Sequence, residues 1–533
     1  MKRFVPAMAI AWLLVPSATL RAQDIGDYDV VLQEVTVPNM PGLQSFAWGQ
    51  HDGQWFLIGG RTDGLHRRQP FAAFLAADNN TTAYVVDPAT LQVWSASINV
   101  LPVPLSEQLQ STNMEFEQRG STLYCIGGYG YSATAGDHIT HAALTAIDLP
   151  GVMDAIRNGQ SITPFFRQLA DPRMEVTGGQ LRLMDDHFHL VGGQRFVGRY
   201  NPQGPGFGPG FVQEYTNAIR RFGIDDDGVN LAVTDYWAVV DTVNLHRRDY
   251  NMLPQIMPDG SDGLTVFSGV FQYGQDLPWL NTVDIVDTSY TVVPVFEQLL
   301  NQYHTAHAAL YDSVANHMHS LFFGGIGRYY FNGTVLMDDP NVPFVNTISL
   351  VTRDGSGAMT EAAVGEMPGL LGASGEFIPL PEAPQTPSGI LRMNAFSGDT
   401  VAIGHIVGGI SSSAANIFFI NTGTQSDATG RVFRVLLVAP GSTGTSTLTK
   451  GPSPSLELLV QGDRLVVTVR LDDALSTSVS ILDSSGRTVR TLHDGRMAAG
   501  EHVLHAQVGT LAHGAYTIRL STPSGAAAAR FMR

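Results

Sequence analysis

Six times along this chain an apolar run ends in a glycine pair or its near equivalent, and this recurrence restricts the fold more than any other feature. The runs are Trp55-Phe56-Leu57-Ile58-Gly59-Gly60, Leu123-Tyr124-Cys125-Ile126-Gly127-Gly128, His189-Leu190-Val191-Gly192-Gly193, Thr265-Val266-Phe267-Ser268-Gly269, Leu321-Phe322-Phe323-Gly324-Gly325 and His405-Ile406-Val407-Gly408-Gly409. Their last glycines stand at 60, 128, 193, 269, 325 and 409, giving spacings of 68, 65, 76, 56 and 84 residues. A recurring unit of this size is one supersecondary module that buries its faces against its neighbours.

Each run is apolar on successive residues, as in a strand covered on both faces. The glycines allow positive φ or a close backbone approach where the strand ends. Hairpin signals precede most runs, at Asp52-Gly53, Arg119-Gly120, Asp185-Asp186, Asp262-Gly263 and Ser397-Gly398. A further strand follows the loop, as in Ala83-Tyr84-Val85-Val86-Asp87 or Asn346-Thr347-Ile348-Ser349-Leu350-Val351. Each unit is therefore expected to form a four-stranded meander.

On these residues the chain resembles the kelch family, whose repeats are propeller blades with a glycine pair ending the second strand. Blade one matches best, with Tyr84, Asp87-Pro88 and Trp94 in the family's order after Gly59-Gly60. The resemblance covers about residues 28 to 440 and implies an all-β fold, a six-bladed kelch-like β-propeller, followed by a small C-terminal β-sandwich. Residues 28 to 37 form a strand without a glycine pair, expected to close the ring by pairing with the strand at 432 to 438.

Met1-Lys2-Arg3, an apolar run to Val15 and small residues to Ala22 have the pattern of a cleaved secretory signal, so residues 1–23 are expected to be removed. The propeller then occupies 24–440, a small and polar linker 441–454, and the strand-rich end 455–533. That end resembles the C-terminal sorting domain of the type IX secretion system of the Bacteroidetes. The resemblance rests on Asp483-Ser484-Ser485-Gly486-Arg487, Ala499-Gly500-Glu501-His502, Gly514-Ala515-Tyr516-Thr517-Ile518-Arg519-Leu520 and the basic terminus Arg530-Phe531-Met532-Arg533. It implies the type IX secretion machinery as a partner of residues 455–533, and a secreted or outer-membrane surface location.

The net charge of −17 sets the protein's own field against a phosphate backbone, so nucleic acid is not an expected partner. No later segment has the roughly 18 uninterrupted apolar residues of a membrane-spanning helix. The lone Cys125, inside an apolar run, has no internal disulfide partner and is expected to be inert. Copper oxidases built on kelch propellers use a cysteine cross-linked to tyrosine, and Cys125 lies in the wrong place for that role. Neither His138 with His141 nor His304 with His307 completes a metal-ligand set, so no metal or other cofactor is expected. Asp225-Asp226-Asp227-Gly228 lacks the spacing of a calcium loop and reads as a hairpin turn.

Loops after the glycine pairs gather arginine, tyrosine and histidine where kelch propellers present a ligand-binding face. The candidate ligand-binding residues are Arg61, His66, Arg67, Arg68, Tyr129, Tyr131, Arg195, Arg199, Tyr200, Tyr273, Arg328 and Tyr329. Guanidinium forks bind carboxylates or sulfates in pairs of hydrogen bonds, and aromatic faces stack on sugar rings. The expected function is recognition of an acidic ligand, a peptide or an anionic glycan, unless these arginines simply pair with acidic neighbours such as Asp63. Two alternatives stand beside it: a glycan-active enzyme such as a lyase or epimerase, and a structural or adhesive surface protein. For the enzyme, Glu115 and Glu175, each following a methionine, would face one another as acid and base, with His307 as a third candidate.

Overall fold

The computed structural model describes residue 25, residues 28–332 and 335–439, and most of 455–532, excepting 462–463, 472–473, 484–486, 513–514 and 523–524. The expected signal segment 1–23 and linker 441–454 lie outside the described residues. The protein is all-β and divides into two compact units, residues 1–442 and 443–533.

Among the described residues the first unit holds six largely antiparallel sheets of four or more strands, with a glycine pair or its Ser268-Gly269 equivalent in or directly after a strand of each, and two two-stranded ribbons, Tyr329–Asn332 with Val335–Asp338 and Ile410–Ser412 with Ser426–Ala428. Sheet one is Ala47–His51, Gln54–Ile58, Thr82–Asp87 and Gln92–Ser97; sheet two is Glu115–Arg119, Thr122–Ile126, Ala142–Asp148 and Phe166–Glu175. Sheet three runs Thr177–Met184, His187–Val197, Ala218–Asp226 and Leu231–Val240, and the strands Tyr129–Ser132, Asp137–Thr140 and Val212–Tyr215 extend it. Sheet four is Asn251–Ile256, Asp262–Phe267, Thr282–Val286 and Ser289–Val293; sheet five is His307–Asp312, His317–Ile326, Phe344–Arg353 and Met359–Glu366. Sheet six joins Gly375–Pro379, Thr400–Gly408 and Val432–Val438 to the early strand Asp29–Val35, paired from Asp29 opposite Val438 to Val35 opposite Val432.

The glycine pairs exist because both positions have positive φ in every sheet, from 57° at Gly192 to 112° at Gly325, with Ser268 strained to 59°. They are also the seams between sheets. Gly60, Gly128, Gly193, Gly325 and Gly409 donate their amides to the carbonyls of Ser111, Val176, Arg247, Leu371 and Leu43, each leading into the next sheet. The carbonyl lies so near the preceding glycine that a side chain would collide with it; a Cβ on Gly127 would stand 1.9 Å from the Val176 oxygen. Where Ser268 replaces glycine, the Asn251 side chain makes the junction, donating to the Gln302 carbonyl and accepting from the Thr305 amide at 3.0 Å.

One backbone hydrogen bond per sheet closes a ring around the axis. Ser45 donates to Ser374 (2.9 Å), Ser374 to His304 (2.8 Å), His304 to Asp249 (3.2 Å), Asp249 to Gly178 (2.8 Å), Gly178 to Asn113 (3.3 Å) and Asn113 to Ser45 (3.1 Å). Left-handed φ at Ser45, Asn113, Gly178, Asp249 and Ser374 turns these amides along the ring.

Two α-helices among the described residues interrupt the expected run of strands. Val103–Leu109 lies between sheets one and two, and Leu149–Arg157 separates the third and fourth strands of sheet two. The latter buries Leu149, Val152, Met153 and Ile156, the i, i+3, i+4, i+7 pattern of an amphipathic helix.

Among the described residues the second unit has two sheets. One contains Ser455–Gln461, Arg464–Leu471 and Gly500–Gln507; the other contains Thr488–Met497, Leu475–Leu482, Ala515–Thr522 and Gly525–Met532. Alternate residues of both, including Leu465, Val467, Val469, Val479, Ile481, Ile518 and Leu520, share one core, as in a β-sandwich. The strand Gly525–Met532, which pairs along Ala515–Thr522, falls where only a basic terminus was expected.

Candidate functional site

The six ring residues Ser45, Asn113, Gly178, Asp249, His304 and Ser374 form the floor of a cavity of about 1140 Å³. The long loops after the glycine pairs supply much of its wall, and thirteen Phe and Tyr residues line the cavity. His66 packs against Phe74, Tyr200 and Phe418 with ring centroids 6.0, 4.9 and 5.3 Å away. Phe74 meets Tyr129 edge-on at 5.5 Å, and Phe196 stacks on Phe211 at 4.7 Å. Across the cavity lining His246 is sandwiched between Tyr215 and Tyr273, at 3.8 and 4.0 Å.

Charge within the lining is balanced: Arg68 and Arg248 against Asp249 and Asp276. Arg248 donates from Nε to the Tyr215 hydroxyl, pairs through Nη1 with Asp249 and stacks over Phe271. Arg68 donates to the Pro202 carbonyl and lies over the rings of Phe418 and Phe419. Burial, then the nearby Arg248, lowers His66 to about 4, so its imidazole is neutral at pH 7. Burial raises Tyr200 and Tyr303, so both phenols keep their protons. Between the rings stand nine amide side chains: Gln44, Asn113, Gln194, Asn201, Gln203, Gln213, Gln272, Asn341 and Asn416.

Of the residues singled out in the sequence, His66, Arg68, Tyr129, Tyr200 and Tyr273 line this cavity. Tyr129 is wall rather than contact, because its hydroxyl donates to the Gly198 carbonyl and accepts from the Tyr200 amide. The expected row of open guanidinium forks is not there. Arg61 is buried, with Nε and Nη2 on Asp63 and Nη1 on Asn79. Arg195 spans Glu175 and Glu214, and Arg328 grips Asp338 at 2.6 and 2.8 Å. Arg199 donates to the Ala73 carbonyl, and Arg67, Tyr131 and Tyr329 lie outside the lining. Arginine on a long loop of an acidic protein finds a carboxylate nearby, and the pair orders the loop.

The proposed carboxylate pair also separates. Glu115 begins the innermost strand of sheet two and Glu175 ends the outermost, so two strands intervene. Glu115 is fully buried below the floor; Oε1 accepts from the Gly179 amide at 2.7 Å and Oε2 has no partner. Burial raises it to about 8, partly offset by the Gly179 hydrogen bond. Glu175 instead accepts from Arg195. His307 uses both nitrogens, Nδ1 on the Thr305 carbonyl and Nε2 on Arg182, and burial lowers it to about 3. His304 and His307 thus have separate neighbours, and so do His138, on the Phe74 carbonyl, and His141, whose buried Nε2 has no hydrogen-bond partner among the described residues. The Asp227 side chain caps the amides of Val229 and Asn230 in a hairpin turn.

Sequence reasoning missed Arg248, Asp249, Tyr215, Phe74, Tyr303 and the role of His304. A signal for part of this set was present. Ser45, Asn113 and Asp249 each stand two residues before the first strand of their sheet, a register that places one polar residue per sheet on the axis.

No family model and no curated protein matches the sequence. Among solved structures, the chain is similar to one described as the structure of YjhT, at 11% identity and a TM-score of 0.40, covering 76% of this chain and 99% of that one. It is also similar to a novel fungal alcohol oxidase with catalytic diversity among the AA5 family, in complex with copper, at 10% identity and a TM-score of 0.37, covering 94% of this chain and 99% of that one.

Proposed function

We propose that this chain is an exported six-bladed kelch-like propeller whose axial cavity binds a saccharide. The observation that carries the reading is the lining itself: ring faces interleaved with nine amide side chains, and two arginines balanced by two aspartates. Pyranose rings present apolar C–H faces to aromatic side chains, and their hydroxyls donate and accept as amides do. The cavity volume exceeds what one small ligand fills, and exposed rings at its lining, Phe207 at 75% and Phe419 at 59%, offer stacking surface for further sugar units. The demand for a strongly acidic ligand falls away, because Arg61, Arg195 and Arg328 already hold carboxylates. One ligand carboxylate remains compatible with Arg68, which lines the cavity and donates to the Pro202 carbonyl rather than to a carboxylate.

Export through the type IX machinery is supported by the residues at the two ends of the sequence and by the strand pattern of 455–533. The test is calorimetric titration of the full chain with neutral oligosaccharides and with the same chains carrying one uronate. Binding that is lost in Tyr200→Ala and Arg68→Ala supports the reading; absence of binding to either set, or binding unchanged in both variants, overturns it.

A further inference from the structure

We propose that the cavity takes its saccharide end-on: it binds the terminus of a linear chain, so that one protein occupies one chain end and an internal stretch of polysaccharide is not a ligand. The proposal rests on the saccharide reading of the cavity and specifies which part of a saccharide enters it.

The wall closes around the axis. Each segment that follows a glycine pair, or the Ser268-Gly269 equivalent, supplies a ring to the lining: Phe74, Tyr129, Tyr200, Phe271, Phe344 and Phe418 in chain order. Hydrogen bonds then lace these segments to one another. The fourth is tied to the third by the Phe271 amide, which donates to the Tyr215 hydroxyl at 3.3 Å. The third meets the second where the Tyr200 amide donates to the Tyr129 hydroxyl at 3.0 Å. It also meets the first twice, because Arg68 donates to the Pro202 carbonyl at 2.8 Å and Arg199 to the Ala73 carbonyl at 2.9 Å. The first is joined to the sixth by the Arg68 amide on the Asn421 carbonyl at 2.8 Å and by the Asn421 side chain on the Leu65 carbonyl at 2.6 Å. The sixth is joined to the fifth by the Phe344 amide on the Ala415 carbonyl and by Asn416 on Asp339, both at 2.9 Å. One junction is left, between the fourth segment at Phe271 and the fifth at Phe344.

A chain lying across a site needs an exit on each of two sides, and this wall leaves one. The floor gives no second exit. Beneath the ring of backbone hydrogen bonds, Glu115, Arg182, His304 and Glu376 border a space of about 20 Å³, which holds one water and not a sugar ring. A mid-chain unit would reach the floor only if the chain doubled back within the cavity, and ordering that bend costs conformational entropy that entry by an end does not. The volume of about 1140 Å³ lies just above the roughly 300–1,000 Å³ of small-molecule sites, so there is room for more than the terminal unit.

The experiment titrates the full chain by calorimetry with three pairs of probes, each a linear hexasaccharide and a polymer of the same sugar of defined length: maltohexaose and amylose, xylohexaose and unbranched xylan, hexagalacturonate and polygalacturonate. Cyclomaltohexaose, which has no end, is run beside maltohexaose. Expected, for every hexasaccharide that binds, is one protein per chain for hexasaccharide and polymer alike, with affinities per mole of chain within about threefold of each other. Where maltohexaose binds, its cyclic form should bind at least tenfold more weakly. Several proteins on each polymer chain, or cyclomaltohexaose binding as tightly as maltohexaose, overturns end-on entry and leaves the saccharide reading standing. Binding that persists in Tyr200→Ala is binding at another surface and overturns both readings, as does failure to bind any of the linear probes.

Discussion

The amide of Ser45 donates to the carbonyl of Ser374 at 2.9 Å, joining sheet one to sheet six and completing a hydrogen-bonded circle of six residues. The cavity above has a floor made of backbone, so its geometry is independent of which side chains line it. Function is then decided by the loops, and the predictions follow that division.

The seam glycines are the most sensitive positions. Gly127→Ala places a Cβ 1.9 Å from the Val176 carbonyl at φ 62°, so it should cost more than the roughly 1–2 kcal/mol of left-handed strain alone. Gly136→Ala has φ 71° with nothing within 4 Å and should cost only that strain. Denaturant unfolding of the two variants should therefore separate them by several kcal/mol.

Arg353 and Asp284 pair in two hydrogen bonds of 2.6 and 2.7 Å, both side chains buried, and link sheet five to sheet four. Arg353→Ala leaves an uncompensated buried carboxylate and should destabilise by about 3–5 kcal/mol in chemical unfolding. Replacing both by apolar residues of similar size should recover much of the loss, which a double-mutant cycle would measure.

Glu115 gives a pH dependence with a definite sign. Its carboxyl is raised from 4.5 to about 8, chiefly by burial, so the folded protein favours the protonated form. Its contribution is fully present below pH 4.5 and is lost as pH rises through 8, a few kcal/mol in all. Between those values Glu115→Gln should gain stability relative to the parent, and the difference should grow with pH; thermal melts at pH 5, 7 and 8.5 would show it.

Ligand binding should ignore the arginines most obvious in the sequence. Arg195→Ala and Arg328→Ala remove exposed carboxylate pairs and should leave affinity within about twofold, as surface pairs contribute little. Tyr200→Ala removes a ring packed on His66 and Phe74 and should weaken binding tenfold or more by calorimetry.

The repeat was legible because a seam demands two consecutive positive φ values and space for a carbonyl, which leaves a glycine pair in the sequence. The closing strand was legible because a ring cannot leave Asp29–Val35 unpaired beside Val432–Val438. The helix Leu149–Arg157 was overlooked because its apolar residues lie among strands of similar composition. The site was half legible. Tyr200 and Tyr273 announced themselves by type and loop position, but an arginine's partner lies across space. Nothing in the local sequence distinguishes Arg248, at the cavity, from Arg195, engaged by Glu175 and Glu214.

The pairing of Asp29–Val35 with Val432–Val438 sets the order of events during synthesis and refolding. The first of the described strands must wait for the last one of the ring. Bringing ends some four hundred residues apart together costs about 5 kcal/mol of chain entropy, and the intervening sheets lower that cost only once they have formed. Until then Val432–Val438 presents an open edge that is apolar at every position but Arg434, the kind of surface on which chains pair with the wrong copy. The last fastening of the ring is thus also the step at which a crowded, newly made population is most prone to aggregate.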